Sequence, residues 1–206
     1  MGSGGSPPAL IAALERARQL GFLGPAPVAQ QIDHARALER FVAAPPERVL
    51  DLGSGGGLPG LVLALAWPAV HLALLDAHQR RVDHLRMAVR ELNLEDRVEI
   101  LHGRAEVLAR DPRRRGHFGL VVARSFGPPA VTAECAIGFL PPGGSLVVSD
   151  TEQPGRWPEA GLARLGLKVV RREHEPGTAF IELRLDEATG HRWPRRNGVP
   201  GKRPLW

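Results

Sequence analysis

The sequence predicts an α/β fold, with a mostly parallel sheet and helices on both faces. Three observations carry this. From residue 48 onward, short apolar runs alternate with segments of helical spacing. The first run ends in a glycine cluster that leads straight into a helix. The last two runs are neighbours separated only by a turn. Strictly alternating strands and helices imply parallel strands joined by crossovers, and two adjacent strands imply a closing hairpin.

Taken in order, residues 1–6 are Gly/Ser-rich and are expected to be disordered. Pro7 and Pro8 open a helix through Leu20, with Leu10, Ile11 and Leu14 at helical spacing. A second helix spans 28–43 and puts Val28, Ile32, Ala35, Leu38 and Val42 on one face, before Pro45 and Pro46 end it. Strands are then expected at 48–52, 70–76, 97–101, 118–123 and 145–150. The intervening helices are expected at 59–66, 78–92 (Val82, Leu85, Val89 and Leu92 inward), 104–109 and 128–139. A helix over 157–165 precedes the paired strands 168–173 and 179–185. No internal repeat of fixed period is present.

A chain of 206 residues and 22.3 kDa fits one domain, or one with a small appendage. The expected division is a flexible N-terminal segment and helical extension (1–47), a central domain (48–189) and a basic tail packed on it (190–206). Hydrophobic residues make up 43%, enough for a core and too many for a disordered chain. No apolar run approaches the roughly 18 residues of a membrane span. The N-terminus lacks a basic n-region, and Glu15 and Arg16 interrupt its apolar run, so no secretory signal is expected. The single cysteine, Cys135, rules out an intrachain disulfide and a thiolate metal cluster, and fits a core position on an apolar helix. His71, His78, His84 and His102 show no metal-ligand spacing. A cytoplasmic monomer without metal is the expectation.

The charge is unevenly placed. All 22 acidic residues lie at or before Glu187, and residues 1–189 sum to zero. The whole net charge of +5 sits on Arg192, Arg195, Arg196, Lys202 and Arg203. A basic tail on a neutral body suits a polyanion such as RNA, and equally suits a solvated tail. Trp193 and Trp206 could stack on an unpaired base, although for Trp193 pinning the tail to the body is the preferred reading. Arg110, Arg113, Arg114, Arg115 and His117 form a basic loop, either a solvated turn or a phosphate contact.

The glycine cluster runs Asp51-Leu-Gly53-Ser-Gly55-Gly-Gly57-Leu-Pro-Gly60. Such a loop lets backbone approach a ligand closely, unless it is only a tight strand-helix turn. Gly55, Gly57 and Gly60 satisfy the dinucleotide pattern, but a match of that kind alone is weak. Asp51 separates the options, because a carboxylate repels a pyrophosphate and attracts the ammonium and sulfonium of S-adenosylmethionine. Asp76, at the next strand end, can accept ribose hydroxyls or hold the start of the following helix. Ala105 and Glu106 after the third strand would lie beside an adenine, or simply begin a helix. Arg124 follows the fourth strand, at the sheet edge where sites form.

These segments resemble a known family. DLGSGGGLPG, HGRAE and Arg124-Ser-Phe126 occur in the order found in the small-subunit (16S) ribosomal RNA guanine-N7 methyltransferases, also called glucose-inhibited division protein B. The tail WPRRNGVPGKRPL is similar to that family's closing segment. The resemblance covers about residues 48–150 and 193–205. It implies the Rossmann-like class I fold of S-adenosylmethionine-dependent methyltransferases, seven strands with the last antiparallel. It also implies cofactor contacts from Gly53, Leu58, Ala105, Glu106 and Arg124, and 7-methylguanosine in ribosomal RNA as product.

Two departures mark a divergent member. The family's N-terminal Asn-Leu-Thr, Arg-His and Asp-Ser-Leu pattern is reduced to residues 31–38, with His34 as its remnant. The family's Lys-Gly after the fifth strand is Ser149-Asp150-Thr151. Both lie where substrate would be read. Guanine N7 has a free lone pair and no proton to remove, so no general base is required. Arg124 then belongs on guanine O6 or on the cofactor, since a donor on N7 would block attack. His34, Arg195, Arg196, Lys202 and Arg203 are the candidate RNA contacts. The alternatives are a methyltransferase of the same fold acting on a small metabolite or another RNA, a non-catalytic RNA-binding module with a degenerate cofactor pocket, and, least favoured, a nicotinamide dehydrogenase.

Overall fold

The computed structural model describes residues 6–151, 153–188 and 190–206. Residues 1–5, most of the Gly/Ser-rich segment expected to be disordered, lie outside the described residues. The chain runs α1 (Pro8–Gln19), α2 (Val28–Val42), β1 (Arg48–Leu52), α3 (Gly60–Ala66), β2 (His71–Asp76), α4 (Gln79–Glu91) and β3 (Val98–His102). It continues with α5 (Ala105–Leu108), β4 (Leu120–Ala123), α6 (Pro129–Ile137), β5 (Ser145–Ser149) and α7 (Glu159–Ala163). It closes with β6 (Leu167–Glu175), β7 (Thr178–Leu185) and α8 (Val199–Lys202), a short helix that the periodicity does not reveal.

The seven strands form one sheet in the order β3-β2-β1-β4-β5-β7-β6. β1 pairs in parallel with β2 on one side and β4 on the other, so Asp51 lies between Leu74 and Val122. The chain therefore builds outward from β1 to β3, then crosses to β4 and builds the other way. That reversal opens a crevice at the carboxyl ends of β1 and β4, where open α/β sheets bind ligands. β7 is antiparallel to both β5 and β6 and is inserted between them.

Alternation along the strands sorts side chains onto two faces. Val49, Leu72, Leu74, Leu120 and Val122 meet α1–α4, whereas Leu50, Leu52, Leu75, Val121 and Leu146 meet α5–α7 and the tail. Because both faces are covered, β1 from Val49 to Leu52 is buried without alternation. Small shifts separate the expected helix faces from the observed ones. Ile11 is exposed, and Ala13 and Ala17 pack beside Leu10 and Leu14 in its place. In α2, Phe41 is buried and Val42 only half-buried, because the helix ends there with Ala43 at φ +55°. In α4 the inward run ends at Val89, and Leu94 beyond the helix is buried where Leu92 is not. The outer strand β6 is exposed beyond Leu167 and carries Lys168, Arg171, Arg172, Glu173 and Glu175, charges that discourage edge pairing with another chain.

Candidate functional site

The loop after β1 turns sharply because Gly53, Gly55 and Gly57 take φ of +77°, +54° and +104°, where a Cβ would be strained. Its N–H groups are largely used within the protein. Gly53 and Ser54 both donate to Leu75 O, Gly57 donates to Ser54 O, Gly55 donates to Asp76 Oδ2 and Gly60 donates to Asp51 Oδ2. Among the described residues, the N–H groups of Gly56 and Leu58 make no such bond. A phosphate site needs a cradle of free amides at this turn. This loop has spent most of them, so it is poorly suited to a pyrophosphate.

That finding replaces the electrostatic argument built on Asp51. The Asp51 carboxyl group lies under the loop, 1% exposed, with Oδ2 3.0 Å from Gly60 N. It lines neither of the cavities at the crevice. Burial pushes its pKa up to about 7, against the Gly60 N–H, which lowers it. Asp51 therefore shapes the loop from beneath rather than meeting a ligand as a fixed negative charge. Gly60 fits the same close approach: a Cβ there would stand 2.5 Å from Asp51 Oδ2 and 2.3 Å from Leu74 Cδ2.

Asp76 does face the crevice. Its side chain is 4% exposed, accepting from Gly55 N–H through Oδ2 and from His78 N–H through Oδ1. Each oxygen retains a further lone pair. Gly103, Ala105 and Glu106 line the same cavity of about 210 Å³. A second cavity, of about 370 Å³, holds Gly55, Leu58 and Arg124 on one side and Gly21–Gly24 of the α1–α2 loop on the other. Gly53, Arg81 and Ser125 belong to both, so the two are halves of one crevice. Their size suits a small organic ligand, for which pockets run about 300–1,000 Å³. Gly57 stays beneath, where a Cβ would meet Leu61 and Leu85.

Two side chains to which the sequence motifs assign no role, Phe126 and Gln31, complete this side. Ser125 at φ +55° folds Phe126 back onto Gly53, whose added Cβ would lie 2.5 Å from Phe126 Cδ2. Gln31 on α2 is buried, accepts from Arg124 Nη2 through Oε1 at 2.9 Å, and donates to the carbonyls of Gly24 and Ala26. It thereby ties the end of β4 to the α1–α2 loop. Arg124 is partly buried, and desolvation lowers its pKa against the opposing pull of Asp51. His34 lies one turn along α2, edge-on to Phe180, with Nδ1 buried and unpartnered. Burial first, and the Arg124 charge second, hold it below the ordinary histidine pKa. It lines an open cavity of about 540 Å³ with Thr151 and His174. Asp150 borders that cavity, but its oxygens are taken by Arg156 and by Trp157 Nε1.

The tail divides its cations. Arg195 is not available to RNA as expected. It forms a two-oxygen pair with Glu134, which is 0% exposed, at 2.6 Å and 2.8 Å, and its own N–H donates to Glu134 Oε1. Arg196, Lys202 and Arg203 are exposed. Trp193 and Trp206 pack on the body, and Trp206 Nε1 donates to Arg156 O. The basic loop before β4 is neither free nor a phosphate cradle. Arg110 donates to Pro194 O, Arg115 to the carbonyls of Trp193 and Gly190, Arg113 pairs with Asp111 and Arg114 with Glu99. Glu106 turns its side chain to the tail, accepting from Gly198 N–H at 2.9 Å and pairing with Arg104. Burial raises its pKa, but these donors outweigh burial and hold it below the usual range. Cys135 borders the crevice, and burial pushes its thiol up to about 12, which leaves it unreactive. Among the described residues no group of three or more His, Cys, Asp or Glu is placed to hold a metal, and no helix is long and apolar enough to cross a membrane.

The fold has close counterparts among solved structures. A SAM dependent methyltransferase from Aquifex aeolicus superposes with a TM-score of 0.59 at 17% identity, covering 84% of this chain and 98% of that one. An O-methyltransferase from Bacillus cereus in complex with SAH gives 0.61 at 16% identity, covering 88% and 92%. At such identities the likeness establishes the fold, that of the class I S-adenosylmethionine-dependent methyltransferases. Sequence relatives go further. The ribosomal RNA small subunit methyltransferase G of Synechococcus sp. (strain WH7803) is 34% identical over 181 residues, 81% of this chain and 69% of that protein. Its counterpart in Streptococcus pyogenes serotype M49 (strain NZ131) is 31% identical over 179 residues, 83% and 75% of the two. Residues 29–156, more than half the chain, match the family described as rRNA small subunit methyltransferase G, and the chain belongs to that family.

Proposed function

We propose that the chain is an S-adenosylmethionine-dependent methyltransferase that methylates N7 of a guanine in small-subunit (16S) ribosomal RNA. The observation that carries the donor assignment is the loop whose amides are mostly consumed, only those of Gly56 and Leu58 making no bond among the described residues, set beside Asp76. Such a crevice suits a nucleoside without phosphates. S-adenosylmethionine supplies an activated methyl on a sulfonium. Asp76 would accept the ribose hydroxyls, and Ala105 with the Glu106 backbone would border the adenine. The loop from Gly53 to Leu58 would hold the amino-acid end, with the free Leu58 N–H as donor and Arg124 as the cation for its carboxylate. The chain's part in the reaction is to hold donor and acceptor in line and exclude water. N7 presents its lone pair directly, so no side chain needs to remove a proton.

The relatives' names support ribosomal RNA as substrate, and the exposed tail cations Arg196, Lys202 and Arg203 supply electrostatic attraction to it. His34, one turn from Gln31, stands where an acceptor base would enter between α2 and the end of β5. The test is mass mapping of ribosomal RNA after incubation of purified small subunits, or naked RNA, with the protein and labelled donor. A new 7-methylguanosine in 16S RNA is expected. Label confined to another base would remove the guanine-N7 assignment, and label in no RNA at all would remove the RNA reading in favour of a small-molecule acceptor.

A further inference from the structure

We propose that the C-terminal segment 194–201 is a wall of the donor site, clasped in place by Glu134 and Glu106, so that donor affinity depends on the tail. The inference rests on the methyl-donor reading above. Its first support is a carboxylate with no other task. Glu134 lies fully buried on the apolar helix α6, and every contact recorded for its oxygens comes from Arg195: N, Nε and Nη2, at 2.6–3.1 Å. A buried carboxylate is costly unless it is paired and hydrogen-bonded, so this position makes sense as an anchor for the tail.

The second support is where the anchored chain goes. Three residues on, Gly198 donates to Glu106 Oε1, on the short helix whose Ala105 lines the crevice. Pro200 and Gly201 then border the same cavity as Asp76 and Gly103. The segment's start is held as tightly, since Arg110 takes Pro194 O at 2.6 Å and Gly138 leaves room for the Pro194 ring, where a Cβ would lie 2.9 Å from Cδ. A tail serving only as a cationic handle would need none of this registration. Here Arg196, like Lys202 and Arg203 just beyond the segment, is exposed, while Pro200 and Gly201 border the cavity. The segment closes the end of the crevice opposite Gly21–Gly24.

The test uses the full chain without RNA and S-adenosylhomocysteine as an unreactive probe, measured by calorimetry. Glu134→Gln loosens the clasp, and Pro200→Gly removes the wall while leaving both carboxylates and all tail cations. Each is expected to bind the probe about tenfold more weakly. In turnover the donor KM should rise by a similar factor with kcat at saturating donor little changed, a split that a general loss of folded protein would not give. If Glu134→Gln melts early, Pro200→Gly, altered outside the buried pair, decides the matter. Binding by Pro200→Gly equal to that of the parent would overturn the proposal. Failure of the parent itself to bind the probe would instead remove the methyl-donor reading, and this inference with it.

Discussion

Asp51 holds one oxygen on the Gly60 N–H while the other, Oδ1, is buried without a partner. Its pKa of about 7 in the folded chain stands against an ordinary carboxyl value of 3.8. For an acid with a raised folded pKa, the folded state binds the extra proton. Stability is then greatest below about pH 4 and declines as the pH rises through about 7, by about 4 kcal/mol over that window. His34 and His84 act in the opposite sense, because burial holds both below 6.5 and stability falls as acid protonates them. Comparing the parent with Asp51→Asn isolates the carboxyl group. Urea unfolding between pH 4 and 7 should show the variant gaining on the parent as pH rises, and parallel curves would refute the burial argument. Gln31 offers a second test at this scale. Gln31→Leu removes the Oε1 acceptor of Arg124, which keeps only the Gln31 backbone carbonyl at 3.5 Å, and the side-chain donor to the carbonyls of Gly24 and Ala26. A loss of about 1–3 kcal/mol is expected, read from the urea midpoint, together with weaker donor binding as the α1–α2 loop loosens.

At the scale of elements, the β1–α3 turn depends on close approach more than on sequence pattern. Gly60→Ala would drive a methyl group onto Asp51 and Leu74. Overpacking of this kind costs about 1–3 kcal/mol, and the loss should appear in thermal melting alongside a reduced donor affinity. Unchanged melting would mean that the turn relaxes freely. The same turn shows what the sequence does and does not display. Glycines after an apolar run announce it, and strand-helix alternation announces the parallel strands up to β5, because those signals are local and periodic. The partners of Asp51 are also local, nine residues apart. Gln31 meets Arg124 across 93 residues and Arg195 meets Glu134 across 61. Pairs at such separations leave no periodic trace, so the sequence pattern assigns Gln31 no role and presents Arg195 as a free cation. Helix α8 was missed because Pro200 and Gly201 read as loop, although proline is well placed in a first turn.

For the molecule as a whole, the decisive feature is that net charge and donor wall share one segment. Of the tail cations proposed to contact RNA, Arg195 is neutralised within the fold while Arg196, Lys202 and Arg203 remain exposed. Only exposed cations can displace counterions from RNA. Replacing these three with Gln should therefore weaken RNA binding and reduce the slope of log affinity against log salt by about 2, taking about 0.7 per single-strand phosphate contact. Arg195→Gln should leave the salt slope unchanged while destabilising the fold, because it strands the Glu134 carboxylate. Filter binding of a 16S fragment across a salt series distinguishes the two. Equal slopes for the triple variant and the parent would place the RNA contacts elsewhere, on exposed arginines such as Arg80 at the start of α4. Because the segment that carries these cations also borders the crevice, donor and RNA are expected to be linked. By reciprocity, whatever factor a bound RNA fragment adds to S-adenosylhomocysteine affinity must be returned by the probe to RNA affinity. Measuring both arms in the parent and in Pro200→Gly gives the final discrimination. Linkage should be present in the first and diminished in the second, whereas equal linkage in both would mean that the coupling does not run through the tail.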